Sequence, residues 1–125
     1  MIIKSTTMLY VADTKAALTF WTEKMGFVLI DQSTNGDSTS YEVAPSAESA
    51  IAFGLHDKET VAKANPGMPL AFPSLLFSVA NLEEEYQRLD DAGVTINPIM
   101  EYQGMRHFTF TDNEGHYIAI SQHND

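Results

Sequence analysis

The chain carries an internal repeat. Thr7-Met8-Leu9-Tyr10-Val11-Ala12-Asp13 precedes a helical pattern and then Gly26-Phe27-Val28-Leu29-Ile30. Leu75-Leu76-Phe77-Ser78-Val79-Ala80-Asn81 precedes a second helical pattern and then Gly93-Val94-Thr95-Ile96-Asn97. Val11 and Val79 are 68 residues apart and Gly26 and Gly93 are 67 apart, so one single-residue gap aligns the copies. Repetition on this scale constrains a fold more tightly than a local motif does. It implies two similar modules related by a pseudo-twofold axis.

Local patterns give each copy the same plan. Alternation over residues 5–12 predicts a strand. Asp13 or Thr14 can cap a helix over 14–25, with Ala17, Leu18, Trp21 and Met25 on its apolar stripe and Gly26 ending it. Strands are expected at 27–33, 38–44 and 50–56, separated by Asn35-Gly36-Asp37 and Pro45-Ser46. Residues 58–71 show no sustained period and are expected to connect the modules. The second copy predicts a strand at 74–80, a helix at 82–92 and strands at 94–100, 106–111 and 117–122, with a turn at Asp112-Asn113-Glu114-Gly115. Glu83-Glu84-Glu85 falls in the first turn of that helix, where carboxylates favour the positive dipole end. Each half reads β-α-β-β-β, with modules at 1–57 and 72–125.

A chain of 125 residues with 44% hydrophobic content can bury a real core. No apolar run approaches the ~20 residues of a membrane helix, and Met1-Ile2-Ile3-Lys4 leads directly into strand-like sequence. A cytoplasmic protein without membrane association is expected. The chain has no cysteine, which excludes disulfides, thiolate metal sites and thiol nucleophiles. Its net charge of −10 argues against nucleic acid as a partner; it gives a solvated acidic surface that aids solubility or, more sharply read, attraction of cationic small molecules.

Alternation also assigns faces. Leu75, Phe77, Val79, Phe108, Phe110, Ile118 and Ile120 form one apolar face, with Ile51, Phe53 and Leu55 in the first half. These are expected under the helices. The opposite face carries Thr6, Met8, Tyr10, Ala52, Gly54, His56, Ser74, Leu76, Ser78, His107, Thr109, Tyr117, Ala119 and Ser121. Its mixture of small, aromatic and polar side chains suits the wall of a binding cleft.

The segments Met8-Leu9-Tyr10-Val11-Ala12-Asp13, Ala17 through Phe27, and Phe108 through Ile118 give the chain its family resemblance. Over essentially its whole length it resembles the vicinal oxygen chelate superfamily, which includes glyoxalase I, extradiol dioxygenases, fosfomycin-resistance enzymes and bleomycin-resistance proteins. Asn113-Glu114 departs from the Pro-Asp usual in the family. The resemblance implies an α+β fold of paired βαβββ modules, whose eight strands form a curled mixed sheet around a cleft, and a homodimer that can exchange modules.

The resemblance also locates the family's metal ligands. They fall at Thr6, its repeat partner Ser74, Ala119 and its repeat partner Ala52. Alanine offers no donor, and neutral hydroxyls bind divalent ions weakly. No metal and no other cofactor is therefore expected. A relocated ion would have to use His56, His107, Glu42 or Glu101. His56 or His107 could instead serve as a general base or hydrogen-bond a ligand. Tyr10, Tyr117, Met8 and Met100 could stack on a planar molecule. There is no glycine-rich phosphate loop and no Gly-x-Ser-x-Gly elbow.

The expected function is metal-free binding of a small organic molecule, with sequestration of an antibiotic or metabolite as in bleomycin-resistance proteins. The expected contacts are Thr6, Met8, Tyr10, Glu42, Ala52, His56, Ser74, Glu101, His107, Tyr117 and Ala119. The alternative is a glyoxalase-like lyase or dioxygenase-related enzyme using a relocated metal or none.

Overall fold

A computed structural model of the chain describes residues 1–124. It divides into two compact units, Met1–Pro73 and Ser74–Asp125. Asp125, the last residue of the expected second module, lies outside the described residues.

In the first unit, β1 (Ser5–Val11) leads into α1 (Thr14–Thr19), a π-helical turn (Phe20–Lys24), β2 (Val28–Asn35), β3 (Ser38–Ala44), β4 (Ile51–Asp57) and α2 (Lys58–Ala64). The sheet runs β1-β4-β3-β2, with β1 and β4 parallel and the other neighbours antiparallel. Asp13 caps α1 by accepting from the Ala16 N–H at 3.0 Å. The expected single helix over 14–25 widens after Thr19, where Met25 N–H bonds Phe20 C=O. The wider turn keeps Ala17, Trp21 and Met25 on one buried stripe while Lys24 stays exposed. Trp21 packs against Phe27 at 5.1 Å and Phe53 at 5.3 Å, over the buried sheet face of Leu9, Val11, Val43 and Leu55.

The second unit repeats the order with β5 (Leu76–Val79), α3 (Leu82–Asp91), β6 (Thr95–Ile96), β7 (Met100–Tyr102), β8 (Met105–Thr111) and β9 (Tyr117–Gln122). Its sheet runs β5-β9-β8-β6, and β7 also pairs with β8. Asn81 caps α3 as Asp13 caps α1, accepting from Glu84 N–H at 3.1 Å. Gly26 and Gly93 both end their helical segments with positive φ, 79° and 81°, which favours glycine. Leu82, Leu89, Phe108, Phe110, Ile118 and Ile120 form the core.

The α+β class and the repeated βαβββ plan are thus as the sequence predicts, with local differences. The expected connector holds the helix α2, in which Glu59 and Lys63 pair at i,i+4 and Thr60 hydroxyl donates to Asp57. The expected strand 94–100 breaks into β6 and β7 around Pro98, which has no N–H to donate. Ser74 precedes β5 rather than belonging to it, and Ile51 is exposed at the start of β4 instead of buried.

The two units also differ in one register. Val28 pairs with Ala44 and, 67 residues on, Thr95 pairs with Thr111. Ser33 pairs with Ser40 and, again 67 on, Met100 pairs with His107. The last strand breaks this offset. Glu42 faces Gly54, whereas Thr109 faces Ala119, so Gly54 and Ala119 correspond at an offset of 65. The connection from Ala44 to Gly54 is two residues longer than that from Thr111 to Ala119. Counting along the chain therefore pairs Ala119 with the wrong residue, Ala52; its structural counterpart is Gly54.

Candidate ligand-binding site

Register builds the site in the first unit. Thr6 lies beside Ala52, Met8 beside Gly54 and Tyr10 beside His56. Gly54 lies beside Glu42, and Glu42 beside Asp31. Partners in a ladder present their side chains to the same face. Over this face opens a cavity of about 180 Å³, walled by Thr6, Met8, Asp31, Ser40, Glu42 and His56.

His56 is the most constrained group in it. Its Nε2 stands 3.1 Å from Met8 Sδ, and its Nδ1 stands 3.1 Å from Ser40 Oγ. A thioether carries no proton, so Nε2–H donates to sulfur, while the Ser40 hydroxyl can donate to a bare Nδ1 or accept from Nδ1–H. Burial holds the His56 pKa below its ordinary value of 6.5, which favours the neutral ring. The Tyr10 ring lies 6.3 Å from the imidazole, tilted by 39°. Gly54 makes room for the arrangement: a Cβ there would stand 2.8 Å from His56 Nε2 and 2.9 Å from Met8 Sδ.

The charges on the wall are mainly acidic. Glu42 forms an ion pair with Lys4, while Asp31 projects beside it from the edge strand β2. Ile30 is the extra residue of a β-bulge between Leu29 and Asp31. The bulge lets β2 keep Asp31 opposite Glu42 while Leu29 stays opposite Val43.

Of the expected contact residues, Thr6, Met8, Tyr10, Glu42, Ala52 and His56 thus come together on one sheet face. Ala52 is buried there and offers only a methyl group. In the second unit, His107, Tyr117 and Ala119 share a face of the β8–β9 pair. Exposed Leu76, Met100, Tyr102 and Met105 flank them. Glu101 does not join this face. It pairs with Arg106, whose guanidinium reaches Glu83 on α3, so it sits on the helix-bearing side. Ser74 is exposed ahead of β5.

Sequence reasoning missed Asp31, Ser33, Ser40 and the role of Gly54. The first three were recoverable from the Asn35-Gly36 turn. Residues equidistant from a hairpin turn face each other, which sets Asp31 against Glu42 and Ser33 against Ser40. No sequence signal marks the closeness of His56 to Gly54.

Residues 4–120 match the Glyoxalase/Bleomycin resistance protein/Dioxygenase superfamily. The chain belongs to this superfamily. It is 29% identical over 121 residues to the uncharacterised protein YurT of Bacillus subtilis (strain 168), covering 93% of this chain and 95% of YurT. The crystal structure of UcmS2 superposes with a TM-score of 0.75 at 25% identity, covering 94% of this chain and 96% of UcmS2. The crystal structure of TnmS3, an antibiotic binding protein from Streptomyces sp. CB03234, gives a TM-score of 0.78 at 23% identity, covering 97% and 95% of the two chains. At that identity the likeness to TnmS3 is one of fold.

The superfamily's metal enzymes raise the question of an ion. The positions implied by the resemblance hold hydroxyls at Thr6 and Ser74 and methyls at Ala52 and Ala119. Correcting the register brings in Gly54 and, beside it and Ala119, the residues Met8 and Leu76. Neither set has an imidazole or a carboxylate, so the donor chemistry does not fit a divalent ion. Among the described residues, no group of three or more His, Cys, Asp or Glu side chains could hold one elsewhere. Also among the described residues, no helix is long and apolar enough to cross a membrane.

Proposed function

We propose that this chain binds a small planar or cationic organic molecule at the Asp31–Glu42–His56 cavity, without a metal, and sequesters it. The observation that carries this reading is the cavity wall. Two carboxylates face each other across β2 and β3, only Glu42 of the two is paired with a lysine there, and burial biases the adjacent histidine toward its uncharged form. A cation entering the cavity meets uncompensated negative charge and the soft thioether sulfur of Met8. The net charge of −10 adds a long-range attraction. TnmS3 shares the fold and is an antibiotic binding protein; an antibiotic or a metabolite of like chemistry is the proposed ligand here. The proposal includes a cytoplasmic location and a homodimer. The exposed edge strand β2, with Val28, Leu29 and Ile30 all accessible, supports self-association.

One observation bears on the enzymatic alternative. The Ser40 hydroxyl, 3.1 Å from His56 Nδ1, has with it the outline of a nucleophile and its base. The third group of that series is Met8, not a carboxylate. A thioether does not stabilise the imidazolium that proton transfer would create, and burial opposes that charge as well. The arrangement favours holding a ligand over acyl transfer.

Fluorescence titration with proflavine, a planar cation, tests the reading, with a naphthalenesulfonate as the anionic control. Proflavine should bind, more weakly at high salt, and Asp31→Asn with Glu42→Gln should lower its affinity. Preferential binding of the anion would refute it. Light scattering should give twice the 13.8 kDa of one chain; a monomer mass at micromolar concentration would refute the dimer.

A further inference from the structure

The imidazole of His56 has a second side. Beyond it lies another cavity of the first unit, of about 320 Å³, between the far end of the β2–β3 hairpin and the helix α2. Ser33, Ser40 and His56 line both cavities, so the hydrogen-bonded Ser40–His56 pair forms the partition between them.

The two sides differ in chemistry. The first is acidic and carries the Met8 thioether. Six of the ten residues lining the second carry small neutral polar side chains. Ser33, Asn35 and Ser38 come from the hairpin, and Thr60 and Asn65 come from α2 and its end. Its one carboxylate, Asp57, already accepts from the Thr60 hydroxyl. Its apolar residues are Val61 and Ala64, on one side of α2. Such a wall offers no Phe, Tyr or Trp face to a flat hydrocarbon and no lysine or arginine to an anion. It matches a group with closely spaced uncharged donors and acceptors, because each hydroxyl of such a group can both donate and accept. Convergent neutral polar side chains around a concavity are the usual means of fixing a polar ligand's orientation.

We infer that the α2 groove is a second binding subsite, for an uncharged hydroxyl-rich group of glycosyl or polyol type. It does not depend on a cation occupying the first cavity. Where one molecule carries both chemistries, the shared His56 wall allows it to span the two.

Maltose is a suitable probe, read by amide chemical shifts of the intact protein. Saturable shifts are expected in residues 33–40 and 57–65, with little change around Thr6 and Glu42. Ala64→Trp places an indole in the groove from an exposed helical position and should weaken maltose binding by about tenfold or more. Lys63→Trp, on the same helix but outside the lining, should leave binding unchanged and controls for a general effect on α2. Proflavine titrated in parallel reports on the first cavity, so failure of the cation reading and failure of this one are separate results. Absence of saturable shifts in 33–40 and 57–65, or equal binding by the wild type and Ala64→Trp, would overturn the assignment.

Discussion

Gly54→Ala is the sharpest probe of how the first cavity is held. The added Cβ meets two atoms too closely, His56 Nε2 at 2.8 Å and Met8 Sδ at 2.9 Å, and ordinary contact begins near 3.4 Å. Met8 is half exposed and can swing away. The His56 ring is tethered by Ser40 at 3.1 Å, so its retreat stretches that bond toward the limit of a real hydrogen bond. Overpacking of this kind costs about 1–3 kcal/mol and the weakened bond about 1 kcal/mol. Restricting the unfolded chain returns about 0.4–1 kcal/mol, since Gly54 is not among the residues with positive φ. The net loss is about 1–3 kcal/mol. With a urea slope of about 2 kcal/mol per molar, the midpoint falls by about 0.5–1.5 M. Buried Trp21 gives the fluorescence signal for that unfolding curve. The cause is isolated by a double-mutant cycle with His56→Ala, in which most of the Gly54→Ala cost should vanish. Strict additivity of the two substitutions would refute the claim that Gly54 exists to accommodate the imidazole.

Three other perturbations follow from the same contacts. The folded-state pKa of His56 is depressed, so its contribution to stability is fully present above the unfolded value of 6.5 and is lost as pH falls through the folded value; the wild type should lose stability on acidification over that window more than His56→Gln, measured by urea midpoints. Asp112 is buried and accepts from Glu114 N–H, His116 N–H and His116 Nδ1 at 2.8–2.9 Å; Asp112→Ala should cost about 2–4 kcal/mol by calorimetry, because it strands the donors of the β8–β9 turn. Gln122 accepts from Leu82 N–H at 2.9 Å and donates to Ala80 C=O at 2.6 Å, tying the start of α3 to β9; Gln122→Ala should lose about 1–2 kcal/mol and raise amide exchange at Leu82.

The repeat made the fold legible because the same alternation, cap and terminal glycine occur twice. The helix α2 was not legible because none of its seven residues is buried, so no apolar stripe marks it. His56, Met8 and Glu42 could be placed on one face by parity along their own strands. Glu101 could not, because the break at Pro98 resets parity between β6 and β7. Ser40 shares the parity of Glu42 on β3, whereas Asp31 joins the cavity through cross-strand pairing past a bulge, which single-strand alternation does not report. The proximity of His56 Nε2 to Met8 Sδ depends on Gly54 lacking a side chain, a relation among three residues on two strands.

The two-residue difference between the β3–β4 and β8–β9 connections has a consequence for how duplicated halves diverge. An insertion of one residue would turn every following side chain of the last strand to the opposite face and drive Phe53 and Leu55 out of the core. An insertion of two restores inside and outside while moving each residue one full repeat along its neighbour. Lengthening the turn costs only a few tenths of a kcal/mol in closure entropy. Even-length changes at this turn therefore leave the core intact while exchanging which side chains meet across the binding face. In this chain such an exchange sets Glu42 beside Gly54 in one half and Thr109 beside Ala119 in the other. A gene that has been copied end to end can thus acquire two sheet faces of different chemistry from one ancestral strand without first passing through an unstable protein.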